Sequence, residues 1–341
     1  MSVFLSSLKR SGHLNRLHLT ICNVGSRKLG SLDDYASKEW GIFAPRLTIY
    51  GFDADADACD KANADLEARQ VNWTEKHIPL ALGNNVGEST LYVTQHPMCS
   101  SLYPPNEPYL ARFAGLSEVV NLDFTIGIET TTLDTFCQEE GIHEIDFLQL
   151  DIQGAELQAL QGASWILERS ILAIQVEVEF SHLYINQPLF ADVDIYLRNQ
   201  GFTLFDLAKS YRIRAESPIQ STARLGQLLW GEAFYFRDLI REELNIHLKT
   251  PEQILKLACI ADIMNFPDYT LELLKYLTLH YGNDPSYNFA DNIIEGLAQF
   301  PELLQQGLAS LPVVAKIQDY ISSDNLNLLE RREASQLKKR D

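Results

Sequence analysis

Three observations predict an α/β fold: a mainly parallel sheet with an antiparallel C-terminal edge and an α-helical appendix. Strand-like and helix-like segments alternate from about residue 17 to residue 207, which places helices on both faces of a parallel sheet. Two strand-like stretches, 202–207 and 227–236, then lie close together in the chain. From Thr250 the texture becomes wholly helical.

Taken in order, residues 1–16 read as an N-terminal cap containing a short helix. Residues 18–24 read as a buried strand ended by Gly25, and 47–53 as a second strand ending in Asp53. Residues 54–69 are Ala- and Asp-rich and helical. A third strand is predicted over 77–82, with a turn at Gly83, and a hairpin strand over 89–94. Residues 97–108 are rich in Pro, Ser and Tyr and read as a loop. Thr132 is the predicted N-cap of a helix. Residues 145–151 alternate apolar positions and end in Asp151. One helix is then predicted over 155–168, a strand over 171–179 and a helix over 191–199 closed by Gly201. The main domain is expected over 17–240, and a helical extension over 250–335 that serves packing, homo-oligomerisation or acceptor recruitment.

The chain carries 46 acidic and 28 basic residues, a net charge of −18. So acidic a surface is repelled by a nucleic-acid duplex or an anionic membrane, so neither is the expected partner. No run approaches the roughly 18 apolar residues of a membrane span. The five cysteines are scattered, with no C-x-x-C pair; free thiols in the cytoplasm are expected. No compact metal motif is present, so no metal is assigned, although several carboxylates near one cleft are of the type that can hold a divalent ion.

In an open parallel sheet, ligands bind at the carboxyl ends of the strands, near the point where strand order reverses. Three features fall there. Gly25 lets the chain after the first strand pass close to a ligand. Asp53 is placed to accept ribose hydroxyls, unless it caps the following helix as Asp55 or Asp57 would. Asp151-Ile-Gln-Gly-Ala-Glu156 brings an acid, a tight turn at Gly154 and a second acid in the first helical turn, where electrostatics alone favours one. Beyond it, alternation puts Glu177 and Glu179 on one face, followed by His182. A His or an acid there is suited to deprotonating an acceptor hydroxyl. Ser101 and Tyr103 lie in the Pro-rich loop that would close over the acceptor.

Thr131-Thr-Leu-Asp134 followed by Ile145-Asp-Phe-Leu-Gln-Leu-Asp-Ile-Gln-Gly-Ala-Glu-Leu157 resembles the core signature of FkbM-type methyltransferases. So do Val176-Glu-Val-Glu-Phe180, Tyr184, Gln187-Pro-Leu-Phe190, Gly201-Phe202, Gly226-Gln-Leu-Leu-Trp230 and Ala233-Phe-Tyr-Phe236. The resemblance implies a seven-stranded Rossmann-like sheet and S-adenosyl-L-methionine as cofactor. It also implies O-methylation of a small-molecule hydroxyl, on a sugar or a polyketide-like acceptor. Carried over by position, Gly25 and Ser26 approach the methionine part, and Asp53 with Ala54 the ribose. Ala81 and Leu82 border the adenine, and Asp151 and Glu156 line the reaction centre. Asp151 is expected beside the methyl donor, with Glu156, Glu177 or His182 handling the acceptor hydroxyl. The chain departs from the family pattern at Asn23, Ser26, Arg27, Gln149 and Gln153. The rival reading is a non-catalytic protein that binds cofactor or recruits a partner; a nicotinamide oxidoreductase is disfavoured because no second glycine follows Gly25 closely.

Overall fold

A computed structural model describes residues 2–28, 39–241 and 248–322. Its strands are β1 (Leu19–Val24), β2 (Leu47–Phe52), β3 (Thr74–Ile78), β4 (Ala81–Leu82), β5 (Gly87–Thr94), β6 (Leu122–Thr131), β7 (Phe147–Leu150), β8 (Ala173–Glu179), β9 (Thr203–Arg212) and β10 (Gln227–Phe236). Seven of them form one sheet in the order β3-β2-β1-β7-β8-β10-β9. The first five strands in this order run parallel, and β10 runs antiparallel to both β8 and β9. The antiparallel end predicted from the sequence is therefore present. Within it, the C-terminal strand lies one place inside, and β9 takes the edge.

The strands are where the apolar runs predict them because each side chain meets a helix layer. Ile21, Val24, Leu148, Leu150, Ile174 and Val176 are all buried to 2% exposure or less. Thr132 caps the helix Leu133–Glu139, its hydroxyl accepting the Thr135 N–H at 3.0 Å. Asp134 in turn accepts the N–H groups of Trp165 and Ile166 at 2.7 and 3.0 Å, capping the next helix across space.

Three expectations need correction. The third strand does not run through 77–82. Thr74–Ile78 pairs with β2, Pro79 then removes a backbone donor, and Ala81–Leu82 crosses to a second sheet of order β4-β6-β5. The ten-residue β6 was not foreseen, because it carries Leu122, Phe124 and Ile126 exposed on one face and shows no buried run. The helix expected over 155–168 is two helices, Glu156–Gln161 and Ser164–Arg169. The break falls at Gly162, where a Cβ would stand 2.1 Å from the Gly83 carbonyl oxygen.

The chain divides into two compact units. One comprises Leu19–Asp33 and Leu47–Asp238 and holds the large sheet. The other comprises Met1–His18, Asp34–Arg46 and Leu239–Asp341. In the second unit the helices Pro251–Ile263, Pro267–Tyr281, Ala290–Leu297, Pro301–Gln306 and Pro312–Ile317 follow one another, with turns at Gly282 and Pro285. The predicted helix beyond residue 322 lies outside the described residues. The N-terminal segment belongs to this unit, and buried Asp262 explains how. Its carboxylate accepts the N–H groups of Val3, Phe4 and Leu5 at 2.8–2.9 Å, capping the helix Leu5–Arg10. Replacing Asp262 by Ala strands those donors and is expected to cost this unit about 3 kcal/mol, read as a lower urea midpoint.

Candidate active site

Strand order reverses between β1 and β7, and their carboxyl ends carry Gly25 and Asp151. Gly25 has φ +87°, and a Cβ on it would lie 2.0 Å from the Asp151 carbonyl oxygen. Only glycine lets the loop cross there. The Gly25 and Ser26 N–H groups both donate to the Phe52 carbonyl at 2.9 Å, and the Asp151 N–H donates to the Val24 carbonyl at 3.0 Å. Three strand ends are thereby stitched into one rigid floor.

Two cavities, each of about 390 Å³, open on this floor. Gly25, Asp53, Ala54, Ala81, Leu82 and Asp151 line the first. Asp53 stands at its strand end while Asp55 takes the helix cap, accepting the Ala58 N–H at 3.1 Å. Burial raises the Asp53 carboxyl, and the Arg27 charge pulls it back. This cavity suits a nucleoside: an acid stands at one wall, apolar Phe52, Leu80 and Leu82 stand at another, and the glycine leaves room where a Cβ would intrude.

The second cavity is walled by Leu110, Leu116, Val120, Leu183 and Trp230, with Glu177 and Glu179 among its few polar groups. The sequence reasoning did not identify this apolar wall, because its residues come from the 110–120 region and from β10. Arg212 stacks over Trp230 at 4.4 Å from the ring centre. Asp151 and Gln153 line both cavities.

Gln153 is the hinge of this arrangement, at φ +57° with Gly154 following at +100°. Its amide nitrogen donates to Asp151 Oδ1 at 2.8 Å and to Glu177 Oε2 at 2.6 Å. Its amide oxygen accepts the Tyr184 hydroxyl at 3.0 Å, and its carbonyl accepts the Ser101 hydroxyl at 2.7 Å. The Pro-rich loop is thus docked on the turn, and Tyr103 ties it to the following helix by accepting Gln158 Nε2 at 2.7 Å.

Carboxyl oxygens of Asp151, Glu156 and Glu177 lie within 4.8 Å of one another. Their partners separate their roles. Glu156 is 2% exposed and lines neither cavity. Its two oxygens accept the Ile152 N–H at 2.7 Å and the Gly154 N–H at 2.9 Å, so it clasps the turn that carries Asp151 and Gln153. Burial pushes its carboxyl up to about 7 against the pull of those N–H groups. Glu177 is held well above the carboxylate range by burial first, then by the charges of Asp151, Glu179 and Glu156. Glu179 is raised likewise, by burial and then by Glu156 and Asp151.

Two expected site residues stand elsewhere. The His182 side chain is exposed and lines neither cavity, since the turn before Leu183 faces solvent; only its carbonyl is engaged, by Asn106 Nδ2 at 2.9 Å. Ser26 is 3% exposed, and its hydroxyl turns to His77 Nδ1 at 3.0 Å, away from the first cavity.

Residues 44–204 match the methyltransferase FkbM domain model. A 77-residue stretch, 22% of this chain and 31% of the relative, is 36% identical to 2-O-methyltransferase NoeI of Sinorhizobium fredii. The match therefore spans about a third of that relative's length. Among solved structures, the methyltransferase FkbM of Methylobacillus flagellatus KT is similar at 13% identity, over 65% of this chain and 45% of that one, with a TM-score of 0.34. Magnesium protoporphyrin IX methyltransferase (ChlM) of Synechocystis PCC 6803 is similar at 14% identity, over 67% and 75%, with a TM-score of 0.31. No helix among the described residues is long and apolar enough to cross a membrane. The matched segment contains Asp53, Asp151, Glu156 and Glu177, so the candidate site lies within the part of the chain that is similar to the methyltransferase FkbM domain.

Proposed function

We propose that the protein transfers a methyl group to a hydroxyl of a small-molecule acceptor. The observation that carries this reading is the junction: one carboxylate, Asp151, and one amide, Gln153, face both a nucleoside-sized cavity and a mostly apolar one. Gly25, Asp53, Ala54, Ala81 and Leu82 would hold the cofactor in the first. S-Adenosylmethionine supplies an activated methyl group, so the protein's part is alignment and removal of one proton.

Glu177 is the group for that proton. It lines the acceptor cavity, and its raised affinity for a proton makes its ionised form the stronger base. Glu156, with both oxygens bound to backbone, positions the turn. Gln153 couples the two sides by holding Asp151 and Glu177 through one nitrogen. The apolar wall favours an acceptor with an apolar body beside its hydroxyl, such as a deoxy sugar or polyketide-like alcohol. Oxygen is chosen because the partial relative is described as a 2-O-methyltransferase.

Calorimetry with S-adenosylmethionine and S-adenosylhomocysteine tests the cofactor half, and a folded protein that binds neither would sink the reading. Transfer of labelled methyl from the cofactor to a panel of sugar and polyketide-like alcohols tests the other half. Cofactor binding with product methylated on nitrogen or carbon would overturn the assignment of oxygen.

A further inference from the structure

The loop after β1 is tied down by side chains that face away from the cofactor cavity. Ser26 donates or accepts at His77 Nδ1 at 3.0 Å, and His77 Nε2 meets Glu75 Oε1 at 3.0 Å. Glu75 also pairs with the Lys28 ammonium, which returns to the same loop, and accepts Trp73 Nε1 at 2.8 Å. The chain of contacts is closed: it leaves the loop at residue 26 and re-enters it at residue 28. Ser26, His77 and the Glu75 carboxyl are all 4% exposed or less.

Neighbouring residues are shaped around this circuit. A Cβ on Gly51 of β2 would lie 2.6 Å from His77 Nδ1 and 2.7 Å from the Ser26 hydroxyl, so glycine leaves the gap that the Ser26–His77 pair crosses. Asn63, on the helix Ala56–Arg69, clamps the His77 backbone, donating to its carbonyl and accepting its N–H, each at 2.8 Å. Arg27, between the two tied residues, lines the cofactor cavity and pairs with Asp55. Every side chain from 26 to 28 is therefore spoken for by β3 or by the start of the next helix.

We propose that Ser26, His77, Glu75 and Lys28 form a latch that holds residues 25–28 in their cofactor-binding conformation, with His77, Glu75 and Lys28 acting as positioning residues. The inference rests on the cofactor reading above. A loop held in advance does not have to be ordered when the ligand arrives, so the latch acts on affinity. Burial alone would raise the Glu75 carboxyl; the hydrogen bonds from His77, Lys28 and Trp73 overcome it and hold it at about 2, so the latch keeps its charge across the working range.

The test is the affinity for S-adenosylhomocysteine, measured by calorimetry on the full chain alongside thermal melts. Lys28→Met and Ser26→Ala are expected to raise Kd about tenfold or more, the scale of one charge-assisted hydrogen bond. Lys28→Arg, which keeps the charge, is expected to return Kd to within about threefold of wild type. The double variant Glu75→Gln with Lys28→Met removes both charges, leaving no buried ion without its partner, and is expected to fold cooperatively yet bind weakly. Variants that melt lower but bind as tightly as wild type would show a purely structural network and overturn the latch. A wild-type protein that binds no cofactor would instead overturn the reading on which the latch rests.

Discussion

Asp151→Asn is expected to lower turnover by about 100-fold or more, within the range of a lost acid, base or charge-stabilising group. Cofactor binding is expected to weaken by less than about tenfold, because interactions confined to the transition state register in turnover. The substitution is close to isosteric, and its amide oxygen can still accept from Gln153 Nε2, as Asp151 Oδ1 does at 2.8 Å. What it removes is negative charge at the one acidic position shared by both cavities. Steady-state methyl transfer with calorimetry on the same preparation checks both numbers. Full turnover with intact cofactor binding would leave Asp151 with no chemical role.

Glu177→Gln is expected to stabilise the ligand-free protein by about 2 kcal/mol at pH 8 while depressing turnover, since removing a half-buried like charge relieves its desolvation and repulsion. The folded protein holds the Glu177 proton more tightly than the unfolded chain does. Its favourable contribution is therefore fully present below the ordinary carboxylate range. It is lost progressively as pH rises from there through the raised folded value. The stability gap between variant and wild type should be near zero at acidic pH and widen with rising pH. Glu156, pushed up to about 7, acts in the same direction between about 4.5 and 7, and because Glu156 and Glu179 interact with Glu177 the gap reports position 177 together with its repulsion by those acids. Urea unfolding of both proteins across pH 4.5–8.5 measures this. A gap that is constant with pH, or that favours wild type at pH 8, would show that Glu177 does not hold its proton more tightly in the folded protein.

Much of the fold was legible because its signals are local. Strands β1 and β2 carry mainly apolar runs and β7 and β8 alternate apolar with polar positions, and they end at Gly25, Asp53, Asp151 and the Glu177–Glu179 pair. Thr132, Gly154 and Gly201 marked a cap, a turn and a helix end. The errors came where partners are distant in the chain. Pro79 divides one apolar run between two sheets, and nothing in residues 77–82 alone says so. Strand β6 exposes its apolar face, so periodicity gave no reason to place it. Gly162 ends a helix because the Gly83 backbone passes beside it, a contact between positions about eighty residues apart.

The candidate site divides in the same way. Gly25, Asp53 and Asp151 could be read from strand ends, since in a parallel sheet the carboxyl end is a position along the chain, whereas Ala54, Ala81 and Leu82 followed from the family resemblance. Composition and pattern also placed Glu156 and Glu177 near the turn at Asp151, but they left the two acids indistinguishable. Tertiary structure alone separated them. Glu156 is held by the Ile152 and Gly154 N–H groups, whereas Glu177 faces a cavity whose walls arrive from residues 96–120, 183–184 and 212–230. It likewise sent Ser26 to His77 and left His182 in solvent. The physical reason is the same throughout: periodicity and turn chemistry act over a few residues, so sequence carries them. A carboxyl group's chemical role depends on which groups satisfy its oxygens and exclude its water, and those come from the whole fold.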